Sequence, residues 1–340
     1  MDKSPCGETL EHVEVSMSSA CAGLMREGQN DAQCLLCGGG IVLTEIGLFD
    51  TRFGIPGDFS FGRCSRCGFE ELLPIPSPEE LKQLYEKHYN FGGQHGTRYT
   101  KMRESFYSSV IYRFWSLLDG DISFHCCKGQ GKLLDFGCNE GRGLLIYRKN
   151  GFEVEGLELS EKAAAVARSA GFVVHTCDLR DLSPSFTYDV IVLSNVLEHA
   201  TDPLRMLREL RDHLNPGGQL WISCPNNQSW LRSVFQSYWI NWHVPFHITQ
   251  FSLQSLTTAL QKSGFAIRRS KQFTPAMWAI SSLIAWGCAR KGKPTTALRN
   301  PFLILALLFV SKALLFPVFW IGNLSGRGDC LAVTVSKVSS

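Results

Sequence analysis

The sequence predicts an α/β protein built on a mostly parallel sheet, and three observations support this prediction. Apolar, β-branched runs alternate with helical patterns between Lys132 and Ser223, as in sheets covered by helices on both faces. The chain has 340 residues and is 44% hydrophobic, which is enough for one large domain and one small one. Polar residues follow four consecutive strands, at the edge where open α/β sheets bind ligands.

The predicted elements of the main domain alternate along the chain. Strands are predicted at residues 132–137, 152–158, 171–176, 188–193 and 219–223. Helices are predicted at residues 144–149, 161–170 and 202–214, and the last of them ends at an Asn-Pro-Gly-Gly turn. A helix over residues 251–264 and a strand over residues 265–272 follow. Ahead of this domain, Ser77 and Pro78 begin a helix, and residues 102–118 have the pattern of another.

Composition and charge limit the function. The formal net charge is +3, from 34 basic and 31 acidic residues, whereas nucleic-acid binding usually needs a strongly basic face. The 13 cysteines, an odd number, are scattered through predicted core segments, and residues 1–33 are polar without an apolar signal segment. We therefore expect free thiols in a reducing compartment and a cytoplasmic location.

Two Cys-x-x-Cys units ahead of the main domain predict a metal site. Cys34 and Cys37 form the first unit, and Cys64 and Cys67 form the second after a gap of 26 residues. Four thiolates satisfy tetrahedral Zn²⁺ and leave no open position, so this zinc would be structural. The alternatives are a redox function and a chance pattern of cysteines. A redox-active Cys-x-x-Cys motif, however, typically occurs once in a chain and near a βαβ unit. The paired units favour a zinc-ribbon-like module.

The residues after four predicted strands suit a nucleoside. The first strand runs into a loop over residues 135–143, whose glycines let the backbone turn sharply and approach a ligand. Glu158 follows the second strand, where it can accept hydrogen bonds from a ribose diol. Asp178 and Leu179 follow the third and could bracket an adenine, and residues 194–199 follow the fourth. Taken in order, these residues predict a nucleoside site.

This pattern resembles the class I S-adenosylmethionine-dependent methyltransferases over residues 130–270. The family's first motif, Asp/Glu-x-Gly-x-Gly-x-Gly, matches at Asp135, Gly137 and Gly141 and departs at Asn139, which tolerates positive φ. The resemblance implies a Rossmann-like sheet of seven strands, closed by an antiparallel strand at residues 330–335, and S-adenosylmethionine as the cofactor. It implies these cofactor-binding residues: Asp135, Gly137, Cys138, Asn139, Gly141, Glu158, Leu159, Asp178, Leu179 and Asn195.

A nicotinamide dinucleotide site is the main rival, because Glu158 would also suit it. Its fingerprint, Gly-x-Gly-x-x-Gly, lacks the second and third glycines here, so the methyltransferase is favoured. A zinc ribbon ahead of a methyltransferase is similar to bacterial methyltransferases that act on sugars and polysaccharides. Those carry a further large C-terminal domain without a counterpart in this sequence. The acceptor therefore stays open among small molecules, glycans and lipid-linked compounds.

Two histidines are candidates for chemistry at the acceptor. His199 follows the fourth strand, and His247 lies in a Trp-His-Val-Pro-Phe-His segment where many relatives hold an acceptor-facing loop. Histidine suits a general base by its pKa, and a packed or loop-bracing role is the alternative for each. Glu198 and His199 also resemble a metal-binding pair of the ubiquinone-pathway O-methyltransferases. The upstream glutamate of that set is Asn195 here, so we predict no catalytic metal.

Residues 276–321 form an apolar insertion before the last strand. The run from 301 to 321 is long enough to span a bilayer, but it contains Lys312 and Pro317. A spanning hairpin would place a basic loop with Arg290, Lys291 and others outside, which the positive-inside rule disfavours. We expect hydrophobic helices that cap the active site or contact the inner face of the membrane peripherally. A buried cap or a dimer interface is the alternative.

The predicted organisation has six parts. They are a flexible extension (1–30), a zinc-ribbon-like module (31–75), a helical linker (76–128), the cofactor-binding core (129–275), the hydrophobic insertion (276–327) and the final strand with a tail (328–340). The predicted function is methyl transfer to a small-molecule, sugar or lipid-linked acceptor. The alternatives are a non-catalytic nucleoside-binding protein that docks through its zinc ribbon, and an RNA methyltransferase. Acids in the ribbon, such as Glu45 and Asp58, make nucleic acid a weak candidate.

Overall fold

The computed structural model describes residues 33–88, 109–110 and 119–338. Eleven strands lie in this part of the chain. They are β1 (Ile41–Leu48), β2 (Phe59–Cys64), β3 (Glu70–Leu73), β4 (Lys132–Phe136), β5 (Glu153–Leu157), β6 (Val173–His175), β7 (Tyr188–Ser194), β8 (Leu214–Pro225), β9 (Thr249–Gln250), β10 (Phe265–Phe273) and β11 (Cys330–Lys337).

Nine α-helices lie in the same described residues. They are α1 (Pro78–His88), α2 (Arg142–Lys149), α3 (Glu161–Ser169), α4 (Pro203–Asp212), α5 (Trp230–Phe235), α6 (Leu253–Lys262), α7 (Ala276–Cys288), α8 (Pro301–Val310) and α9 (Phe316–Leu324). Polar side chains fix several of their starts. Ser160 caps α3, Asp202 caps α4 directly before Pro203, and Ser252 forms a capping box at α6.

Seven strands form one sheet in the order β10-β11-β8-β7-β4-β5-β6. Strands β4 to β8 run parallel, and β11 pairs antiparallel with both β8 and β10. This is the Rossmann-like seven-stranded sheet that the resemblance implied. Because the strand order reverses between β4 and β7, side chains at their carboxyl ends border one crevice, where open α/β sheets bind ligands.

A second, antiparallel sheet joins the cysteine module to the main domain. Its order is β1-β2-β3-β9, and β9 comes from the main domain, so that Glu70 of β3 lies opposite Gln250. The ring of Phe69 packs against that of Phe251 with centroids 5.3 Å apart. Buried residues of the module and of the large sheet belong to one apolar cluster, so the two parts fold against each other.

The apolar insertion forms α7, α8 and α9 between β10 and β11. Helix α7 shares a buried cluster with Trp239 and Trp242 of the segment between α5 and β9 and with Leu48 and Phe61 of the cysteine module. The following helical segment instead exposes large apolar side chains: Phe302, Leu305, Phe309, Val310, Leu314, Leu315, Val318, Trp320, Ile321 and Leu324. Among the described residues, no helix combines the length and the apolar content needed to cross a bilayer.

The predicted elements of the main domain are confirmed with local differences at their ends. The largest difference is in β8, which begins at Leu214 rather than at residue 219. Leu214 pairs with Tyr188 ahead of a register shift, so the Asn-Pro-Gly-Gly turn lies inside the strand as an irregularity. The helix before it therefore ends earlier, at Asp212. The helix predicted over residues 102–118 lies outside the described residues except for 109–110.

Candidate functional site

The loop between β4 and α2 turns at the positions that the sequence indicated. Gly137 and Gly141 have φ of 75° and 77°, and Asn139 has φ of 52°, so all three occupy the left-handed region. An added Cβ at Gly141 would lie 2.8 Å from the Cβ of Ala167, so this position also needs glycine for space. Asn139 thus adopts a backbone conformation that glycine adopts more easily.

Asp135 lies at the carboxyl end of β4 and is buried. Burial raises the pKa of its carboxyl group to about 8, and the negative charge of Glu158 acts in the same direction. The packing here is close, since an added Cβ at Gly143 would lie 2.7 Å from a carboxylate oxygen of Asp135. A cation brought into this crevice would favour the ionised form of Asp135.

Glu158 connects the end of β5 to the loop after β4. One of its carboxylate oxygens accepts a hydrogen bond from the N–H of Asn139 at 2.9 Å, and the other accepts from the N–H of Ser160 at 2.8 Å. Cys138 is buried beneath the loop, and an added Cβ at Gly156 would lie 2.4 Å from its sulfur. The predicted ribose-binding acid and the predicted motif loop are therefore in direct contact.

The predicted adenine-binding pair lies beyond β6. Asp178 accepts a hydrogen bond at 2.9 Å from the guanidinium of Arg180, and hydrogen bonds from Arg180 lower the pKa of Asp178. Leu179 is buried, whereas Leu159 after β5 is 69% exposed. The carboxylate of Asp178 thus already has an ionic partner, and Leu159 presents an apolar surface to solvent.

Asn195 follows β7 at the same edge of the sheet. It has φ of 55°, and its N–H donates to the carbonyl of Ser223 at 3.0 Å. Its side-chain carbonyl oxygen is buried and has no hydrogen-bond partner in the described part of the chain. A buried amide oxygen of this kind is expected to accept a hydrogen bond from a ligand or a water molecule.

The two catalytic candidates come together around Glu198. Glu198 and His199 belong to a 3₁₀ turn after β7 (Leu197–His199), and His247 reaches them from the loop before β9. The ring centroids of His199 and His247 are 4.7 Å apart. Nε2 of His247 lies 3.9 Å from a carboxylate oxygen of Glu198. One carboxylate and two imidazoles therefore form a compact cluster, hereafter the Glu198 cluster.

Burial controls protonation in the Glu198 cluster. It raises the pKa of Glu198 to about 8 and lowers the pKa of His199 to about 4. Burial also lowers the pKa of His247 well below its usual value. Both imidazoles are therefore neutral at neutral pH, and a neutral imidazole can accept a proton or coordinate a metal ion.

Two residues that the sequence did not indicate also contact the Glu198 cluster. Nδ1 of His243 lies 3.3 Å from Nε2 of His247, and the hydroxyl of Tyr85 in α1 lies 2.8 Å from Nδ1 of His199. His243 could have been identified from the sequence, because it lies in the same short segment as His247. Tyr85 had no such signal, because the fold alone brings α1 to the end of β7.

A buried carboxylate holds the loop that carries His243 and His247. Asp329 accepts hydrogen bonds from the hydroxyl of Ser229, from the indole N–H of Trp239 at 2.8 Å and from the amide of Asn241 at 3.0 Å. Burial raises the pKa of Asp329 to about 6, and these three donors oppose that rise. The backbone carbonyl of Asn241 in turn accepts from Nδ1 of His247 at 2.8 Å.

The four cysteines of the two Cys-x-x-Cys units also meet. Their sulfurs lie within 4.8 Å of one another, with 3.6 Å between Cys34 and Cys67 and 3.4 Å between Cys37 and Cys64. Sulfurs placed 2.3 Å from one tetrahedral ion would be about 3.8 Å apart, so the cluster is close to the size that Zn²⁺ requires. An added Cβ at Gly39 would lie 3.1 Å from the sulfur of Cys64, so this glycine leaves room for the cluster.

Comparison with known proteins gives one family match and several partial relatives. The model of the family described as "Methyltransferase domain" matches residues 99–270. A probable S-adenosylmethionine-dependent methyltransferase of Mycolicibacterium smegmatis is 30% identical over 146 residues, 42% of this chain and 54% of that protein. A ubiquinone biosynthesis O-methyltransferase of Idiomarina loihiensis is 31% identical over 114 residues, 30% of this chain and 46% of that protein. The chain thus spans about half the length of the curated relatives it matches.

Solved structures of similar chains include a 1,6-didemethyltoxoflavin-N1-methyltransferase of Burkholderia thailandensis. That structure is 15% identical in sequence, has a TM-score of 0.45, and the match covers 87% of this chain and all of the other. An S-adenosylmethionine-dependent methyltransferase of Mesorhizobium loti is 20% identical with a TM-score of 0.40, and the match covers 67% of this chain and 98% of the other.

Proposed function

This chain belongs to the methyltransferase domain family, and on that premise we propose that it transfers a methyl group from S-adenosylmethionine to a small-molecule acceptor. In this reaction the bond between the methyl carbon and the sulfonium sulfur breaks, and a bond from that carbon to the acceptor forms. The acceptor loses a proton, and S-adenosylhomocysteine is released. The observation that carries the proposal is the left-handed turn at Asn139, whose N–H is bound by Glu158.

The residues proposed to bind the cofactor lie along the carboxyl ends of β4 to β7. Glu158 would accept hydrogen bonds from the ribose, and the buried oxygen of Asn195 would accept one from the ligand. The sulfonium is a cation, which would favour ionisation of Asp135. The complete proposed set is Asp135, Gly137, Cys138, Asn139, Gly141, Glu158, Leu159, Asp178, Leu179 and Asn195.

His199 and His247 are proposed as the residues that act on the acceptor. His199 lies in the turn after β7, which borders the proposed cofactor site, and the ring of His247 packs against it from the loop before β9, so two neutral imidazoles lie together there. Methyl transfer is an in-line displacement, so the acceptor must be held on the far side of the methyl group. The names of several curated relatives, ubiquinone biosynthesis O-methyltransferase, support an oxygen atom of a small molecule as the acceptor.

The exposed apolar surface of residues 301–324 supports a more specific proposal. In this proposal the protein contacts the inner face of a membrane, and its acceptor is lipid-linked or otherwise partly apolar. Contiguous exposed apolar surface usually marks an interaction site. From Ala276 to Gly328 the chain has six basic residues and no acidic one. Arg290, Lys293 and Arg299 are exposed beside the apolar helices, and this charge suits anionic lipid headgroups.

We also propose that the four-cysteine cluster binds a structural Zn²⁺. The support is the closeness of the four sulfurs and the backbone N–H groups that hydrogen-bond to sulfurs of the cluster. Burial raises the pKa of the Cys34 and Cys67 thiols, whereas at Cys64 hydrogen bonds from backbone N–H groups and from neighbouring thiols outweigh burial and bring the pKa to about 7. Donors of this kind favour thiolate, the form that binds zinc.

The first prediction concerns the affinity for the demethylated cofactor. The Glu158→Gln variant replaces one carboxylate oxygen with an amide NH2 group, which cannot accept a hydrogen bond. We therefore expect S-adenosylhomocysteine to bind about 10- to 100-fold more weakly. Isothermal titration calorimetry measures this. The control is Glu153→Gln, an exposed acid at the other end of β5. Wild-type protein that does not bind, or a Glu158→Gln variant that binds normally, would refute the proposed cofactor site.

The second prediction concerns membrane contact. Sedimentation with vesicles is measured for phosphatidylcholine alone and for a 3:1 mixture with phosphatidylglycerol. We expect binding to the anionic vesicles, weaker at high salt, and about tenfold or greater weakening in the Phe302→Ser/Phe309→Ser variant. Val173→Ser, which changes an exposed apolar residue on the distant β6, should bind normally. A wild-type protein that stays in the supernatant with both vesicle types contradicts the membrane proposal.

The third prediction concerns zinc. The Cys37→Ser/Cys67→Ser variant should lose about one Zn²⁺ per chain and unfold at least about 5 °C lower, because metal binding supplies folding free energy. Mass spectrometry of the metal content and thermal unfolding measure the two effects. Cys126→Ser, a change at an exposed cysteine, serves as the control and should alter neither. Unchanged zinc content in the double variant would rule out the cysteine site.

A further inference from the structure

We propose that a cleft between the cysteine module and α5 binds the headgroup of an anionic phospholipid that carries hydroxyl groups, as phosphatidylglycerol does. The cleft has a volume of about 800 Å³, within the range of about 300–1,000 Å³ that is usual for small-molecule sites. No residue proposed above to bind the cofactor or to act on the acceptor lines this cleft. The proposal rests on the membrane contact proposed above, and it adds the class of lipid and the residues that recognise it. The lining residues that carry the argument are Glu45, Arg63, Asn227, Arg232, Trp242 and Arg327.

Two of the three arginines in the cleft share two carboxylates. Arg232 binds Glu70 at 2.8 Å and Glu45 at 2.9 Å, so its positive charge is balanced within the protein. Arg63 is half-buried, and its Nε lies 3.9 Å from the carboxylate of Glu70, which Arg232 already binds. With Arg327 as the third, the arginines outnumber these carboxylates, and an anionic group would neutralise the excess positive charge.

Arg327 carries a positive charge that the protein does not balance. Its Nε donates to the carbonyl of Gln228 at 3.3 Å, its Nη2 donates to the hydroxyl of Ser233 at 3.1 Å, and both acceptors are neutral. In the described part of the chain Arg327 forms no ion pair, and its Nη1 has no hydrogen-bond partner. The two bonds thus orient the guanidinium, and Nη1 can donate to a phosphate oxygen.

The side chain of Asn227 indicates that the ligand also has a hydroxyl group. Asn227 is 5% exposed, and its Nδ2 lies 3.0 Å from the carbonyl of Gly68 and 3.5 Å from that of Gln250. Because carbonyl oxygens can only accept, these contacts fix the orientation of the amide. Its Oδ1 is buried and has no hydrogen-bond partner among the described residues. An ionised phosphodiester has no hydrogen atom to donate, whereas a hydroxyl group beside it can donate to Oδ1.

The aromatic ring in the cleft argues against a nucleotide as the ligand. The guanidinium carbon of Arg232 lies 4.4 Å from the centroid of the Trp242 ring, and Trp242 is buried. This cation–π contact covers a ring face on which a base would otherwise stack. The groups that remain for recognition are guanidinium nitrogens and oxygen acceptors, which suit a phosphate with neighbouring hydroxyl groups.

Helix α5 connects the cleft to the exposed apolar surface of α8 and α9. Ser233 of α5 lines the cleft, whereas Trp230 at the start of α5 packs against Phe319 of α9 with ring centroids 6.1 Å apart. Arg327 follows shortly after Leu324, the exposed last residue of α9. A phosphate bound in the cleft would therefore lie beside apolar side chains that can contact lipid chains.

The test is sedimentation with vesicles that contain either phosphatidylglycerol or phosphatidylethanol, each mixed with phosphatidylcholine in the same proportion. Both anionic lipids have the same charge, but only phosphatidylglycerol has hydroxyl groups in its headgroup. We expect the wild-type protein to bind the phosphatidylglycerol vesicles about 3- to 10-fold more tightly, since one hydrogen bond contributes a factor of this size.

Two double variants locate this preference. Arg63→Gln/Arg327→Gln should lose it, because the phosphate would no longer hold the hydroxyl group near Asn227. Arg268→Gln/Arg269→Gln removes the same charge from exposed arginines of β10 outside the cleft and should keep it. Equal binding of both vesicle types by the wild-type protein, or a preference that survives in Arg63→Gln/Arg327→Gln, refutes the headgroup site while membrane contact stands.

Glycerophosphoglycerol, the soluble deacylated headgroup, distinguishes the lipid from a free phosphate ester. We expect it to weaken binding of the wild-type protein to phosphatidylglycerol vesicles. A wild-type protein that sediments with neither vesicle type overturns the lipid proposal, even if calorimetry shows that the soluble headgroup binds. Every variant should keep its circular dichroism spectrum and its affinity for S-adenosylhomocysteine, which separates failure of the headgroup site from failure of the proposed methyltransferase function.

Discussion

The two-residue strand β9 is the element on which the arrangement of the site depends. On one side it pairs with β3 of the cysteine module, and on the other the hydroxyl of Thr249 lies 3.4 Å from the carbonyls of Leu197 and Glu198. The adjacent Ile248 N–H donates to the carbonyl of Glu198 at 2.8 Å. Because buried backbone groups must be paired, the module cannot separate from the main domain without disturbing the turn that carries Glu198 and His199.

The buried acidic side chains of this protein differ in how their negative charge is stabilised. Asp329 has three hydrogen-bond donors, and its pKa is raised only to about 6, whereas the pKa of Asp135 and Glu198 is raised to about 8. Asp329 organises a loop, which is a structural role. Asp135 lies at the carboxyl end of β4 and Glu198 in the turn after the neighbouring β7, and strongly shifted acids often mark functional sites. A cationic cofactor would compensate the negative charge of Asp135.

The sequence predicted the backbone conformation of the loop after β4. The motif loop depends on backbone conformation, and glycine and asparagine report that conformation directly, as the φ of 52° at Asn139 illustrates. Alternating patterns predicted the parallel part of the sheet, and the resemblance to the methyltransferases implied its seventh, antiparallel strand. The meeting of His247 with Glu198 could not be predicted, because it depends on the fold of the loop before β9. That loop is held by Asp329, which lies at the start of a strand far along the chain. The contact between Tyr85 and His199 could not be predicted from the sequence for the same reason.

Transfer of a labelled methyl group tests the central claim most directly. Purified protein is incubated with S-adenosylmethionine labelled in its methyl group and with cell extract, and the extract is then separated into lipid, glycan, small-molecule and RNA fractions. The account predicts that label accumulates in the small-molecule or lipid fraction and that heat-inactivated protein transfers none. Label confined to RNA would contradict the proposed acceptor class. An absence of transfer to every fraction, by protein that binds S-adenosylhomocysteine, would favour a binding protein over an enzyme.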